Sequence, residues 1–164
     1  VVSFDFVGDD ATIREVYGLD RTVNDYVETY RLLRRTARTL PHVTIGLRGG
    51  TLGHELPAFE RLQELGVDGL VLRVFIPTPG TRYADRKPPA PEIVADLLVE
   101  ARLRFPDAPL FLGCMRPRGR YRDQLDPLAV RAGINVIVSP SRPARLLAAE
   151  LGLATRQIRE CCVL

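Results

Sequence analysis

The chain has 164 residues, 46% of them hydrophobic, which is enough for one domain with a buried core and too short for two comfortable ones. Its 23 basic and 20 acidic residues give a net charge of +3 without a long basic run, which argues against a dedicated nucleic-acid-binding protein. Because there is no bilayer-length apolar run and no signal-peptide pattern, the sequence predicts a cytoplasmic protein with neither membrane nor nucleic-acid partners.

Along the chain, short runs rich in β-branched residues or leucine alternate with segments of helical periodicity. This pattern is typical of successive βα units around a parallel sheet, so the sequence predicts the α/β class. The predicted strands are 1–7, 43–47, 69–75, 110–113 and 135–138. The predicted helices are 22–40, 56–65, 91–104, 124–132 and 143–151.

Several predicted helix ends rest on specific residues. Thr22 is placed to cap the first helix, with Asp25 in the position of a capping box, and Pro41 is taken to end that helix. Pro91 suits the first position of the third helix, and Gly152 suits a left-handed cap after the last one.

Five βα units of about 30 residues each match the unit size of a (β/α)₈ barrel but cannot close one. Two architectures remain open, namely a doubly wound sheet and the C-terminal five-eighths of a TIM-type barrel. The chain starts without methionine inside a strand-like run, which favours a fragment of a barrel. We therefore expect a partial barrel over residues 1–154, a C-terminal tail over 155–164, and self-association through the exposed first strand and barrel interior.

In both architectures ligands bind beyond the carboxyl ends of the strands. Asp5 lies within the first strand, where an acid is costly unless it is paired, so it is a stronger site candidate than Asp9. The following strand ends in Gly46, Arg48 and Gly49, where glycines would let backbone amides approach a ligand closely. An ordinary turn explains the same glycines equally well.

The loop after the third strand, 76–81, reads IPTPGT. Pro77 and Pro79 hold its backbone extended, and Gly80 allows a sharp turn. Such a rigid loop would suit contact with a flat heterocycle, while a purely structural corner is the equal alternative.

Three cysteines raise the question of a shared thiol site. Cys114 ends the fourth strand, two residues before Arg116, while Cys161 and Cys162 lie near the end of the chain. Thiolates beside arginine have lowered pKa values and suit iron or nucleophilic chemistry. The alternative is a buried hydrophobic Cys114 and an incidental terminal pair, since there is no CxxC and no histidine spaced to complete a zinc site.

Taken together, eight stretches point to a family: VSFDFVGD, REVYGLD, TIGLRGG, VFIPTPGTRYAD, LGCMRPRGRYR, AVRAGINVIVSP, ELGL and ECCVL. Through them the chain resembles, over nearly its whole length, the C-terminal part of radical S-adenosylmethionine (SAM) enzymes related to biotin synthase. It is most similar to the archaeal-type biotin synthase homologues implicated in lipoyl synthesis. The resemblance implies a TIM-type barrel, and this chain would begin at about the fourth strand of that barrel.

The resemblance also implies a set of cofactor contacts. Asp5, with Asp9 as second choice, would contact the SAM ribose, the glycine-rich segment would lie along SAM, and the IPTPGT loop would face the adenine. The cofactor-binding set implied in this way comprises Asp5, Asp9, Gly46, Arg48, Gly49, Pro77, Pro79, Gly80 and Arg116. Cys114, Cys161 and Cys162 would hold an auxiliary iron-sulfur cluster, with Arg116 as a ligand or a nearby charge.

In the family a CxxxCxxC motif binds the [4Fe-4S] cluster that holds SAM, and this sequence lacks it. The chain alone is therefore not expected to cleave SAM. The implied reaction is hydrogen abstraction from an octanoyl chain by a 5'-deoxyadenosyl radical, followed by sulfur insertion. Implied partners are an octanoylated protein or peptide, a second radical SAM subunit and an electron donor such as ferredoxin. A radical SAM enzyme for another substrate and a non-catalytic half-barrel scaffold stay open as alternatives.

Overall fold

The computed structural model describes residues 1–159 of the chain. The strands are β1 (Val2–Asp5), β2 (Thr39–Ile45), β3 (Leu70–Val74), β4 (Leu110–Leu112) and β5 (Val136–Ile137). The helices are α1 (Asp10–Thr12), α2 (Val23–Thr36), α3 (Glu55–Leu65), α4 (Pro91–Arg104), α5 (Arg120–Arg131) and α6 (Arg142–Glu150). A π-helical turn, Ile13–Tyr17, follows α1 directly.

The five strands form one parallel sheet, and their spatial order is the same as their order in the sequence. Every crossover through a helix therefore moves to the next position in the same direction. Within the described residues the sheet lacks the reversal of strand order at which doubly wound sheets bind their ligands. The prediction of an α/β protein built from about five βα units is confirmed.

The main hydrophobic core lies between one face of the sheet and the helices α2 to α5. Strand residues such as Val43, Ile45 and Leu72 pack there against helix residues such as Phe59 and Leu98, and all five are fully buried. Because side chains alternate along a strand, the residues between them point to the opposite face. We call that opposite face, which carries His42, Val71 and Arg73, the inner face.

The predicted helix starts are mostly confirmed. Thr22 and Asp25 form the capping box, with the Thr22 amide donating to the Asp25 carboxylate at 2.8 Å. This contact, together with the charge of Arg21, lowers the pKa of the exposed Asp25 carboxyl. Helix α4 spans 91–104 as predicted and begins with Pro91.

The end of the first predicted helix was wrong. Helix α2 ends at Thr36 rather than at Leu40, and β2 begins at Thr39, four residues before its predicted start. Pro41 lies inside this strand, opposite Phe4 of β1. A short segment in which Ala37 and Leu40 continue the helical spacing fits the last turn of a helix and the start of a strand equally well, so its periodicity could not separate the two.

Two other segments differ from expectation. The helical segment over Asp10–Thr12 and Ile13–Tyr17 was not predicted, because its apolar residues are too few to show a helical period. Helix α5 begins at Arg120, four residues earlier than predicted, and holds Pro127 in its interior. None of the helices among residues 1–159 combines the length and apolarity needed to cross a membrane.

Candidate functional site

Polar side chains collect on the inner face near the carboxyl ends of the first three strands. Asp5 of β1 lies beside His42 of β2, and His42 lies beside Val71 of β3. Two residues further along the strands, Thr44 and Arg73 form the next lateral pair on the same face. Asp5, His42 and Arg73 are therefore neighbours at the edge where β/α proteins bind their ligands.

Asp5 forms an ion pair that crosses the sheet. Arg73 Nη2 donates to Asp5 Oδ1 at 2.5 Å, and the Tyr17 hydroxyl donates to Asp5 Oδ2 at 3.3 Å. Burial and the negative charge of Asp5 raise the pKa of Tyr17 far above its ordinary value, so the phenol keeps its proton. The expectation that an acid in this strand needs a partner is confirmed, and the contact of Asp5 with a SAM ribose stays a prediction.

The strand end of β4 makes room for this pair. A Cβ added at Gly113 would lie 3.2 Å from both Arg73 Cγ and Val71 Cγ1, closer than nine in ten real Cβ contacts. A side chain at this position, directly before Cys114, would therefore require Arg73 or Val71 to shift by a few tenths of an ångström.

His42 is the least satisfied polar group of the site. The residue is 6% exposed, and neither ring nitrogen has a hydrogen-bond partner. Nδ1 lies 4.0 Å from Asp5 Oδ1. Burial and the charge of Arg73 lower the pKa of His42 to about 4, although Asp5 opposes the shift. The imidazole is therefore neutral at physiological pH.

The lowered pKa of His42 predicts a loss of stability in acid. At pH values between 6.5, the ordinary pKa of histidine, and about 4, His42 is protonated in the unfolded chain and neutral in the folded chain. Stability rises with pH wherever the unfolded state binds more protons. The contribution of neutral His42 to the free energy of unfolding is therefore fully present above pH 6.5 and is lost as the pH falls toward 4. The shift corresponds to about 3 kcal/mol. Urea unfolding of the wild type and of His42→Phe should show a smaller acid loss in the variant, and equal losses would contradict the prediction.

The glycine-rich loop after β2 is held by a buried carboxylate. Glu55, the first residue of α3, is 1% exposed and accepts hydrogen bonds from the amides of Gly46 and Gly53, each at 2.7 Å. A carboxylate at a helix N-terminus also interacts favourably with the helix dipole. The same helix start presents His54, whose Nε2 lies 2.9 Å from the Thr44 carbonyl oxygen.

The chain itself fills the space that these glycines leave open. A Cβ on Gly46 would come within 2.6 Å of Pro89, and one on Gly49 within 2.8 Å of Tyr83. Both glycines also have positive φ, at 74° and 63°. Packing against the segment 83–89 and the positive φ values therefore give both glycines a structural reason, and their contact with SAM stays a prediction.

Arg48, the remaining candidate of this loop, joins two segments that are distant in the sequence. Its Nε and Nη2 donate to one carboxylate oxygen of Glu15 at 3.0 and 2.6 Å, and the Tyr83 hydroxyl donates to the other at 2.6 Å. The hydrogen bonds from Tyr83 and Arg48 lower the pKa of Glu15. These residues line an open cleft of about 190 Å³ together with Thr51 and Arg86.

The loop 76–81 lies at the same edge of the sheet and is largely exposed. Thr81 closes it by donating its hydroxyl to the Thr78 carbonyl at 2.7 Å. Pro79 and Gly80 are exposed, Pro77 is half-buried, and Gly80 has a φ of 79° with free space around it. The loop is thus accessible for a ligand, and its contact with adenine stays a prediction.

Asp9 caps the short helix α1. Its two carboxylate oxygens accept hydrogen bonds from the amide and the hydroxyl of Thr12, both at 2.7 Å. Burial raises the pKa of Asp9, but the hydrogen bonds from Thr12 outweigh it and leave the pKa below the ordinary value. Asp9 thus acts as a helix cap beside the site, and no contact joins it to Asp5.

Cys114 is exposed, so the alternative in which it is a small buried hydrophobic residue was wrong. Its neighbour Met115 reaches the site, with Sδ 3.7 Å from Arg73 Nη1. Cys161 and Cys162, the other predicted cluster ligands, lie outside the described residues. Among residues 1–159 no group of three His, Cys, Asp or Glu side chains could hold a metal ion.

Arg116 is placed differently from Cys114. Its side chain is fully buried and donates from Nε and Nη2 to Asp126 at 2.8 and 2.9 Å, and from Nη1 to the Gly113 carbonyl at 2.8 Å. These contacts tie the end of β4 to α5. They give the arginine a structural role, and its predicted role beside a cluster has no supporting contact.

Sequence reasoning identified Asp5 but missed the residues around it. Tyr17 and Glu15 lie in the REVYGLD stretch and Tyr83 lies in the TRYAD stretch, so the motifs contained them without singling them out. Arg73 carried a local signal, since it is a charged residue in an otherwise apolar strand. The same argument that selected Asp5 applies to Arg73 unchanged.

Comparisons with known proteins add no family assignment. No protein-family model matches the sequence, and a search of curated proteins finds no significant match.

Proposed function

We propose that this chain is the C-terminal part of a radical SAM barrel whose complete enzyme inserts sulfur into an octanoyl chain. The observation that carries the proposal is the polar group of Asp5, His42 and Arg73, which lies on the inner face at the carboxyl edge of a parallel sheet. Ligands bind at this edge in (β/α)₈ barrels. The octanoyl substrate comes from the resemblance of the eight sequence stretches alone.

The strand order supports a barrel over a doubly wound sheet. In a barrel each strand lies beside its neighbours in the sequence and all helices lie outside, which is the arrangement of β1 to β5 and α2 to α5. Five such units leave the inner face of the sheet incomplete. Three further βα units would close it.

The residues at this edge fit SAM as a ligand. The Asp5 carboxylate keeps 42% of its surface exposed beside its ion pair, so it is available to accept hydrogen bonds from sugar hydroxyls. The unpartnered nitrogens of His42 and Arg73 beside it are suited to a polar ligand. The exposed loop 76–81 lies at the same edge. In the family, SAM supplies the radical that abstracts a hydrogen atom from the substrate.

The described residues do not fit an iron-sulfur cluster by themselves. Residues 1–159 contain one cysteine, Cys114, whereas such clusters are normally held by several thiolates. The SAM-binding cluster would need the CxxxCxxC motif from outside this sequence. For an auxiliary cluster, Cys161 and Cys162 are the remaining thiols of this chain.

SAM binding to this chain tests the proposal without any cluster. We expect isothermal titration calorimetry to detect saturable binding of SAM, and Asp5→Asn to weaken it about tenfold, because a hydrogen bond to a charged acceptor is lost. Asp68→Asn, which changes an exposed carboxylate paired with Arg34 at the start of β3, is the matched control and should bind like the wild type.

Two results would contradict this function. One is the absence of saturable SAM binding by a chain that circular dichroism shows to be folded. The other is equal SAM affinity of Asp5→Asn and the wild type.

A further inference from the structure

The open cleft of about 190 Å³ lies between the π-helical turn, the glycine-rich loop after β2 and the segment that follows the loop 76–81. Its lining residues come from these three separate segments and are Glu15, Arg48, Thr51, Tyr83 and Arg86. The cleft shares no residue with the polar group on the inner face that carries the proposed function. It is therefore a second candidate site.

Gly49 lets two walls of the cleft meet. Arg48 and Thr51, at the two ends of the turn that contains this glycine, form an antiparallel bridge. Residues paired in this way carry their side chains on the same face. A Cβ on Gly49 would come within 2.8 Å of Tyr83 and 3.1 Å of Arg86 Cγ. Because that Cβ is missing, the turn lies directly against the second loop, and the cleft residues of both loops come together.

Positive charge exceeds negative charge around the cleft. Glu15 is the one carboxylate among the lining residues, and its two oxygens accept hydrogen bonds from Tyr83 and Arg48 at 2.6 Å each. The guanidinium of Arg82 lies 3.7 Å from the same carboxylate. Glu15 can neutralise one of the three guanidinium groups of Arg48, Arg82 and Arg86. Two positive charges therefore remain.

The cleft also presents donors that its own residues do not use. Arg48 contacts Glu15 through Nε and Nη2, which leaves Nη1. Arg86 is exposed and forms no ion pair with a carboxylate of residues 1–159. The exposed Thr51 adds a hydroxyl. A cleft lined by charge of one sign concentrates its field, so this arrangement favours the binding of a further anion.

The size and charge of the cleft narrow the anion. A volume of about 190 Å³ is below the roughly 300 Å³ at which pockets for drug-sized ligands begin, so it suits one small group. Guanidinium groups bind both carboxylate and phosphate through paired hydrogen bonds. A doubly charged phosphate compensates both remaining charges, whereas a carboxylate compensates one. SAM, whose sulfonium and ammonium groups are positive, fits this place poorly.

We propose that the cleft binds a phosphoryl group, either as free phosphate or as the phosphate of a larger molecule. Arg86 and Nη1 of Arg48 donate hydrogen bonds to its oxygens, the Thr51 hydroxyl donates a further one, and Arg82 adds charge at the rim. Glu15 keeps its contacts with the two loops and holds the cleft together. This site does not depend on the proposed function, because neither SAM nor an acyl chain takes part in it.

Isothermal titration calorimetry with inorganic phosphate at about pH 8, where phosphate is mainly doubly charged, tests the proposal. We expect saturable binding with a dissociation constant of about 1 mM or below, which is within the range open to so small a ligand. Arg86→Gln should weaken it about tenfold or more, because a charged donor is lost. Thr51→Val should weaken it about threefold, the effect of losing a neutral hydrogen bond.

The matched control is Arg131→Gln. It also removes one exposed arginine, but from α5 and outside the cleft, so it should bind phosphate like the wild type. Circular dichroism confirms that each variant is folded before its affinity is compared.

Three further ligands define the group that is bound. At equal ionic strength, acetate should bind at least about tenfold more weakly than phosphate, because it leaves one positive charge uncompensated. SAM should not displace phosphate. Glycerol 3-phosphate separates the two sources of the group: an affinity equal to that of phosphate indicates a phosphate on a larger molecule, and loss of binding indicates free phosphate.

The proposal is overturned if the folded wild type shows no saturable phosphate binding, if acetate binds as tightly as phosphate, or if Arg86→Gln and Arg131→Gln have equal affinities. SAM titration of the same sample keeps the two hypotheses apart. Binding of phosphate without SAM would retain this inference and reject the proposed function. Binding of SAM without phosphate would do the reverse.

Discussion

Replacing Asp126 with asparagine is expected to lower the free energy of unfolding by about 3 to 5 kcal/mol. Asp126 and Arg116 are both fully buried, and their side chains form a bidentate ion pair at 2.8 and 2.9 Å. The variant keeps the shape of the side chain but leaves the guanidinium as an uncompensated charge away from water. Such a charge is far more costly than the intact pair is favourable.

The pair matters to the candidate site because it joins three segments. Asp126 of α5 also accepts a hydrogen bond from the Ser141 amide at 2.8 Å, directly before α6. Arg116 donates to the carbonyls of Gly113 and Ser139, which follow β4 and β5. Loss of the pair therefore loosens the strand ends that carry Cys114.

Urea unfolding at neutral pH measures this effect. Glu28→Gln is the control, because its ion pair with Arg31 is exposed on α2 and exposed pairs contribute less than about 1 kcal/mol. A loss below about 1 kcal/mol in Asp126→Asn would show that water or a rearranged neighbour compensates Arg116. That result would contradict the buried ion pair.

Replacing Gly8 with alanine is expected to cost about 3 kcal/mol or more, the upper range of overpacking effects. Gly8 follows β1 and lies against the first turn of α3. A Cβ at this position would lie 2.1 Å from the His54 carbonyl oxygen and 2.3 Å from the Ala58 amide nitrogen. Both are backbone atoms, one in α3 and one in the residue directly before it, so neither can turn aside as a flexible side chain does.

Gly53→Ala is the matched control for this substitution. Gly53 lies just before α3, has free space around its Cβ position, and does not have a positive φ. Thermal and urea unfolding should show Gly53→Ala within about 1 kcal/mol of the wild type. Equal stability of Gly8→Ala and Gly53→Ala would mean that β1 and α3 are not in the close contact described.

If Gly8→Ala separates β1 from α3, the inner face should respond as well. The Gly8 amide donates to His54 Nδ1 at 3.4 Å, and His54 contacts β2 through the Thr44 carbonyl. Displacing this contact moves β1, and with it Asp5, relative to Arg73. The ring signals of His54 in the folded fraction of the variant would report that displacement.

Much of the fold was accessible from the sequence because its local signals agree. Pro91 at the start of α4 and the Thr22–Asp25 capping box fix helix ends through contacts between residues close in the sequence. The run of residues 37–43 was misread for the opposite reason. Although β2 is buried along its whole length, this run mixes Arg38, Thr39 and His42 with apolar residues, so it shows neither the alternation of a half-buried strand nor a clear end of the helical period.

By itself the sequence determined that this is an α/β protein with about five βα units and that Asp5 needs a partner, because apolar periodicity and the cost of an acid in a buried strand are local properties. Only the tertiary structure decided that the partner is Arg73, that Arg116 pairs with Asp126, and that His42 has no partner. Asp5 and Arg73 lie 68 residues apart, and His42 comes between them only because three strands pair in a fixed register. The hydrophobic pattern of a strand determines which side chains face the core, but which residues of two distant strands lie opposite each other depends on the pairing of the whole sheet.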